Sequence, residues 1–126
     1  MKIVLLIALL YFLLLQINLN HSQIEMQCYH LLANEKRTYL FLLKYERKNQ
    51  IETDSAVLDV AFENLCNAYD IFCGKYLAGE VNKKRFLSDY AGEIIYWVNT
   101  FPEKYGENSH FQNTVKVCEK LRTLEI

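Results

Sequence analysis

Four cysteines are the residues whose chemistry depends most on their spacing in this chain. Cys66 and Cys73 are seven residues apart in a segment with helical periodicity, so two turns separate them by about 10.5 Å. A disulfide needs Cα atoms within about 7 Å, and a zinc-binding pair needs a shorter spacing. Any bridge must therefore use Cys28 or Cys118. Because each cysteine lies on or beside an apolar stripe, we expect buried, reduced thiols, with disulfides as the alternative.

The remaining polar candidates form no catalytic pattern. Three histidines are scattered along the chain, where a surface role is expected: His21, His30 and His110. Three carboxylates share the second predicted helix, where we expect them at its solvated edge: Asp59, Glu63 and Asp70. The sequence therefore predicts no catalytic, cofactor-binding or metal-binding residues and no enzyme activity.

Composition narrows the class of protein. The chain has 126 residues, 14 Lys and Arg against 15 Asp and Glu, four glycines and one proline. This length allows one domain at most, and the near-neutral charge does not predict nucleic-acid binding, which requires a basic surface. With so few glycines and prolines there are few places to turn, so long helices are expected.

The amino-terminal segment is the strongest signal in the sequence. Residues 3–15 are thirteen unbroken apolar residues, and Ile17 and Leu19 extend the pattern. A helix over 3–19 would be about 25 Å long, slightly less than the ~30 Å hydrocarbon core of a bilayer. We therefore predict a membrane anchor that contacts the lipid bilayer through residues 3–19. A cleaved signal peptide is the alternative, although the segment after Gln16 offers few small residues for cleavage.

Periodicity predicts the helices that follow. A long helix from Ser22 to Asn49 continues from the anchor, and the second spans 56–77. The second helix has an apolar stripe spaced 4, 3, 4, 3, 4: Leu58, Phe62, Leu65, Tyr69, Phe72 and Tyr76. The third begins after the predicted cap Asn82 and ends before Pro102, with an inward stripe at Leu87, Ala91, Ile94 and Val98. A short final helix is expected over 109–121.

Together these elements predict an all-α protein. We expect an N-terminal transmembrane helix continuing into a stalk, followed by a small antiparallel helical hairpin or bundle. The predicted organisation is a membrane anchor or signal peptide over 1–20, a helical stalk over 21–50 and a small helical domain over 51–126. A run of positive charge, Lys83 to Arg85, opens the third helix, where it is mildly unfavourable. We interpret it as a solvated face, with contact with an anionic membrane surface as the alternative.

Two stretches carry a resemblance to a known family. The motif "QINLN" after the apolar segment and the stretch "FENLCNAYDIFCGKYLAGEVNKKRFLSDYAGEIIYWV" are similar to an uncharacterised bacterial family of membrane-anchored helical proteins, the domain of unknown function numbered 4760. The resemblance implies a single-pass anchor with the helical domain in the cytoplasm. The distribution of basic residues alone favours neither membrane orientation clearly. The short segment before the apolar run is also compatible with a secreted protein.

The leading functional hypothesis is a single-pass membrane-anchored interaction module. In this hypothesis the helical domain docks a protein partner or self-associates through its helix faces, and it binds no nucleic acid. The first alternative is a secreted or periplasmic helical protein, released by signal cleavage and stapled by disulfides. The second is a small membrane-active or phage- or defence-related protein. Its apolar helix lacks a GxxxG motif and has Ala8 as its one small residue, which disfavours close helix packing.

Overall fold

The computed structural model describes residues 1–49 and 55–124, and the chain is helical through most of these ranges. The helices are α1 (Lys2–Asn49), α2 (Ser55–Leu77), α3 (Lys83–Thr100) and α4 (Gln112–Leu124), with a 3₁₀ turn at Pro102–Lys104. The predicted all-α class, with a long apolar N-terminal helix followed by a small bundle, is confirmed. The last helix begins three residues later than predicted.

Helix α1 has two halves with different surroundings. It contains 48 residues and is about 72 Å long at the usual rise per residue. Every side chain from residue 1 to residue 20 is exposed, whereas Cys28 and Leu32 are buried in the core. The anchor and the following segment are therefore one continuous rod, as predicted. One face of residues 21–46 packs against α2, so this segment also contributes side chains to the bundle core.

The turn between α2 and α3 follows from two residues that the sequence marks. Gly79 has a φ of 73°, and its N–H donates to the Tyr76 carbonyl at 3.1 Å while the Glu80 N–H donates to the Lys75 carbonyl at 3.0 Å. This pair of bonds ends α2 in a Schellman motif, in which glycine adopts the left-handed conformation at little cost. The Asn82 side chain then accepts from the Arg85 N–H at 2.9 Å and caps α3. Both predicted helix ends are confirmed.

Aromatic rings join α2 to α3. Phe72 lies 5.1 Å from Phe86 and 4.7 Å from Tyr90 between ring centroids, and further pairs extend along the interface to Trp97 and Phe101. The α2 stripe faces α3 as predicted. On α3, Ile94 and Val98 of the predicted stripe are buried, whereas Leu87 and Ala91 are only half-buried because Phe86 and Tyr90, one residue earlier in each case, contact Phe72.

Helix α4 approaches the middle of α2. Asp70 accepts hydrogen bonds from Thr114 at the start of α4, so this carboxylate is not at a solvated edge as the sequence suggested. Asp59 is exposed, and Glu63 pairs with Lys104 at 3.5 Å. Gly74 permits the close approach of α4, because a Cβ atom there would lie 2.8 Å from the Asn113 side-chain nitrogen.

Candidate membrane anchor and membrane-proximal face

The anchor candidate is the free half of α1. Residues 3–19 contain no charged side chain, and each of them is exposed. Within the described residues, α1 is the one helix that is long and apolar enough to cross a membrane by length and composition, and its apolar window is not buried in the bundle. A signal sequence near the N-terminus has the same character, whereas the core helix of a soluble protein is mostly buried.

The α2–α3 turn is attached to α1 just beyond this apolar segment. Glu25 lies six residues after Leu19, which is about 9 Å along the helix. One oxygen of its carboxylate accepts from the Asn82 backbone N–H at 2.6 Å, and the other lies 2.8 Å from Arg85 Nε. A single half-buried carboxylate therefore holds the start of α3 at the end of the bundle from which the apolar segment emerges.

A groove of about 320 Å³ lies beside this contact, between α1 and α3. Its residues combine aromatic and aliphatic side chains with a charged rim: Ser22, Glu25, Met26, Tyr29, Phe72, Arg85, Phe86, Asp89 and Tyr90. The sequence does not predict this groove, because its two walls come from segments about 60 residues apart. The only local signal for it was the basic run at the start of α3.

Exposed positive charge surrounds the same end of α3. Lys83 and Lys84 are exposed, and neither side chain has an ion-pair partner in the part of the chain that the structure describes. The other basic groups here are paired: Arg85 with Glu25, and Lys75 with Glu80 at 3.1 Å. The bundle therefore presents two exposed ammonium groups without an ion pair, on the turn that Glu25 holds about 9 Å beyond Leu19.

The four cysteines are buried, as predicted, and no disulfide joins them among residues 1–49 and 55–124. Burial raises the pKa of the Cys66 thiol. Burial likewise raises the pKa of Cys73 to about 12. Because the thiolate is the reactive form, both side chains are poor nucleophiles near neutral pH. These thiols contribute to packing in the core.

The histidines are separated in the structure as well. His21 is half-buried on α1, His30 is exposed on the same helix and contacts Tyr29, and His110 is exposed before α4. No cluster of three or more histidine, cysteine or acidic side chains suited to a metal ion occurs among residues 1–49 and 55–124.

A second polar cluster joins three helices in the middle of the bundle. The Tyr69 hydroxyl on α2 donates to Glu93 on α3, and Lys36 on α1 forms an ion pair with the same carboxylate. The Lys36 ammonium also lies 5.6 Å from the centroid of the Tyr69 ring. Burial and the Glu93 contact raise the pKa of Tyr69 well above its usual range. The phenol is therefore a neutral donor, and its role is to fix helix register.

Comparison with known proteins identifies no relative. No protein family model, no curated protein and no solved structure matches the chain. Membership of the bacterial family that the sequence resembles therefore stays a prediction.

Proposed function

We propose that this chain is a single-pass membrane protein whose helical bundle acts as a non-catalytic interaction module at the cytoplasmic surface of the bilayer. The observation that carries the proposal is the complete exposure of the apolar residues 3–19 on a helix that continues into the bundle core. Exposed apolar surface of this extent is unfavourable in water and favourable in lipid, at about −0.5 kcal/mol for each Leu, Ile, Val or Phe.

The continuity of α1 supports an anchor that also positions the bundle. Because the same helix carries Leu32 in the core, the bundle is held at a fixed distance from the bilayer rather than on a flexible tether. Such an arrangement suits a module that presents one face to the membrane and the others to partners.

A protein partner or second copy would contact the outer side of α1. The Leu40 and Phe41 side chains remain 56% and 66% exposed there, although they belong to the part of α1 that packs in the bundle. Phe41→Ser should weaken self-association of the full chain, measured by sedimentation in detergent. A partner of a different sequence is indicated if the purified chain is monomeric at all concentrations.

Membrane extraction tests the anchor. The full-length protein should sediment with membranes and resist carbonate. Leu10→Arg should cost about 3 kcal/mol of insertion and release part of the population. Leu40→Arg is the matched control, because this leucine is exposed on the same helix outside the apolar segment. Recovery of the intact wild-type chain in the soluble fraction would refute the proposal.

A secreted helical protein is the second candidate. The packed part of α1 begins at about His21, so removal of the first 20 residues would leave the core side chains in place. A mass measurement of the mature protein separates the two candidates. The intact N-terminus supports the anchor, and a new N-terminus near residue 23 supports secretion.

A further inference from the structure

We propose that Lys83 and Lys84 bind the headgroups of anionic phospholipids and orient the bundle on the bilayer. The inference rests on the proposed membrane anchor and adds a second, chemically different contact with the same membrane. It concerns the start of α3, which is 64 residues from Leu19 in sequence but adjacent to the end of the apolar segment in the fold.

The Glu25 contacts determine the height of these lysines above the membrane. Glu25 holds both the Asn82 N–H and the Arg85 side chain, so the two residues between them are held at the same level of α1. That level is about 9 Å beyond Leu19 along the helix. If residues 3–19 occupy the hydrocarbon core, the headgroup region covers about 5–7 Å of this distance of about 9 Å, and the long, flexible side chains of Lys83 and Lys84 can span the remainder to reach the headgroups.

The local charges favour an external anion. Lys83 and Lys84 lie in the first turn of α3, where the helix dipole disfavours positive charge, and no carboxylate among the described residues pairs with either one. The nearby carboxylates are already engaged by Arg85 and Lys75, with the exception of Asp89 farther along α3. The two ammonium groups are therefore available to bind phosphate or serine headgroups.

Electrostatic attraction between the two lysines and anionic headgroups acts over the distance that this contact requires. The Debye length at physiological salt is about 8 Å, and a lysine near an anionic surface gains about fivefold in affinity. Anionic lipids are concentrated in the cytoplasmic leaflet. The lysines therefore favour a cytoplasmic bundle independently of the charge flanking the apolar segment.

Hydrogen exchange in vesicles tests the contact on the full-length chain. The protein is reconstituted into vesicles of phosphatidylcholine alone and of phosphatidylcholine with phosphatidylserine. We expect the amides of residues 80–86 to exchange at least about fivefold more slowly with phosphatidylserine. The protection should disappear at high salt and in the variant Lys83→Gln/Lys84→Gln. The variant Lys44→Gln/Lys116→Gln, which removes two other exposed lysines, should retain it.

Carbonate extraction from the same vesicles separates this inference from the anchor. A chain that is extracted from both lipids overturns the anchor and the lipid contact together. A chain that resists carbonate but shows equal exchange in both lipids overturns only the lysine–headgroup contact. Protection by inorganic phosphate in phosphatidylcholine vesicles, without an effect of phosphatidylserine, would identify a free anion instead and also overturn the contact.

Discussion

The Asp70 carboxylate on α2 accepts hydrogen bonds from both the backbone N–H and the hydroxyl of Thr114 on α4, at 2.9 Å and 3.0 Å. The first turn of a helix has N–H groups without partners inside the helix, and a carboxylate there also matches the positive end of the dipole. Here that carboxylate comes from a residue 44 positions earlier in the chain. The same group therefore caps α4 and attaches it to the centre of the bundle.

Removal of this tertiary cap should destabilise the bundle. Asp70→Ala leaves the Thr114 N–H and hydroxyl, which are fully buried, without their acceptor, and we expect a loss of about 1–3 kcal/mol in the free energy of unfolding. Asp59→Ala, at an exposed carboxylate on the same helix, should change it by less than about 0.5 kcal/mol. Urea unfolding measures both. Equal stability of the two variants would contradict the role of Asp70.

The aromatic interface between α2 and α3 should depend on Phe72. This ring is buried between Phe86 and Tyr90, so Phe72→Ala should cost about 3–5 kcal/mol through lost burial and the cavity left behind. Ile71→Ala is the matched control, because Ile71 is the next residue on α2 and its side chain is 47% exposed. A similar melting temperature for both variants would show that Phe72 is not the centre of the core.

The register of the three long helices should depend on Tyr69. Tyr69→Phe removes the hydroxyl that donates to Glu93 while keeping the ring, and should cost about 1 kcal/mol. Tyr96→Phe removes a hydroxyl from an exposed ring on α3 and should have no measurable effect. Urea unfolding of both variants provides the test, and a loss in Tyr96→Phe equal to that in Tyr69→Phe would argue against a specific contribution from the Glu93 contact.

Alkaline pH should weaken the fold partly through Cys73. Its pKa rises from the ordinary value of 9.0 to about 12 in the folded chain, so above pH 9 the unfolded state releases a proton that the folded state keeps. This contribution to stability is fully present below pH 9 and is lost towards pH 12, at up to about 1.4 kcal/mol per pH unit.

The Cys73→Ala variant isolates this contribution. Between pH 9 and pH 11, its free energy of unfolding should fall less steeply than that of the wild type. Both proteins retain the buried phenols of Tyr69 and Tyr105, whose pKa values burial also raises. Parallel pH profiles in urea unfolding would show that the Cys73 thiol does not titrate with unfolding.

The sequence alone determined the helices and the apolar segment, because these depend on local interactions. Thirteen consecutive apolar residues, a glycine that adopts positive φ at position 79 and an asparagine cap at 82 each act within a few residues of the chain. The helix ends at Gly79 and Pro102 and the stripe on α2 could therefore be predicted. So could buried cysteines, because their positions follow the same periodicity.

Only the tertiary structure decided which distant groups meet. Segment 21–46 has a weak apolar stripe, and its place in the core depends on α2 packing beside it. From the sequence Asp70 is expected to be a surface carboxylate, but in the fold it accepts a hydrogen bond from the start of α4. Lys83 and Lys84 are expected to form a solvated face, but Glu25 binds the residues on either side of them and so places them at the end of the bundle from which the apolar segment emerges. The Asp70 and Glu25 contacts join residues more than 40 positions apart, and Tyr39 on α1 contacts Phe62 on α2 across 23 positions. Local periodicity carries no information about such pairings because they depend on how the helices pack.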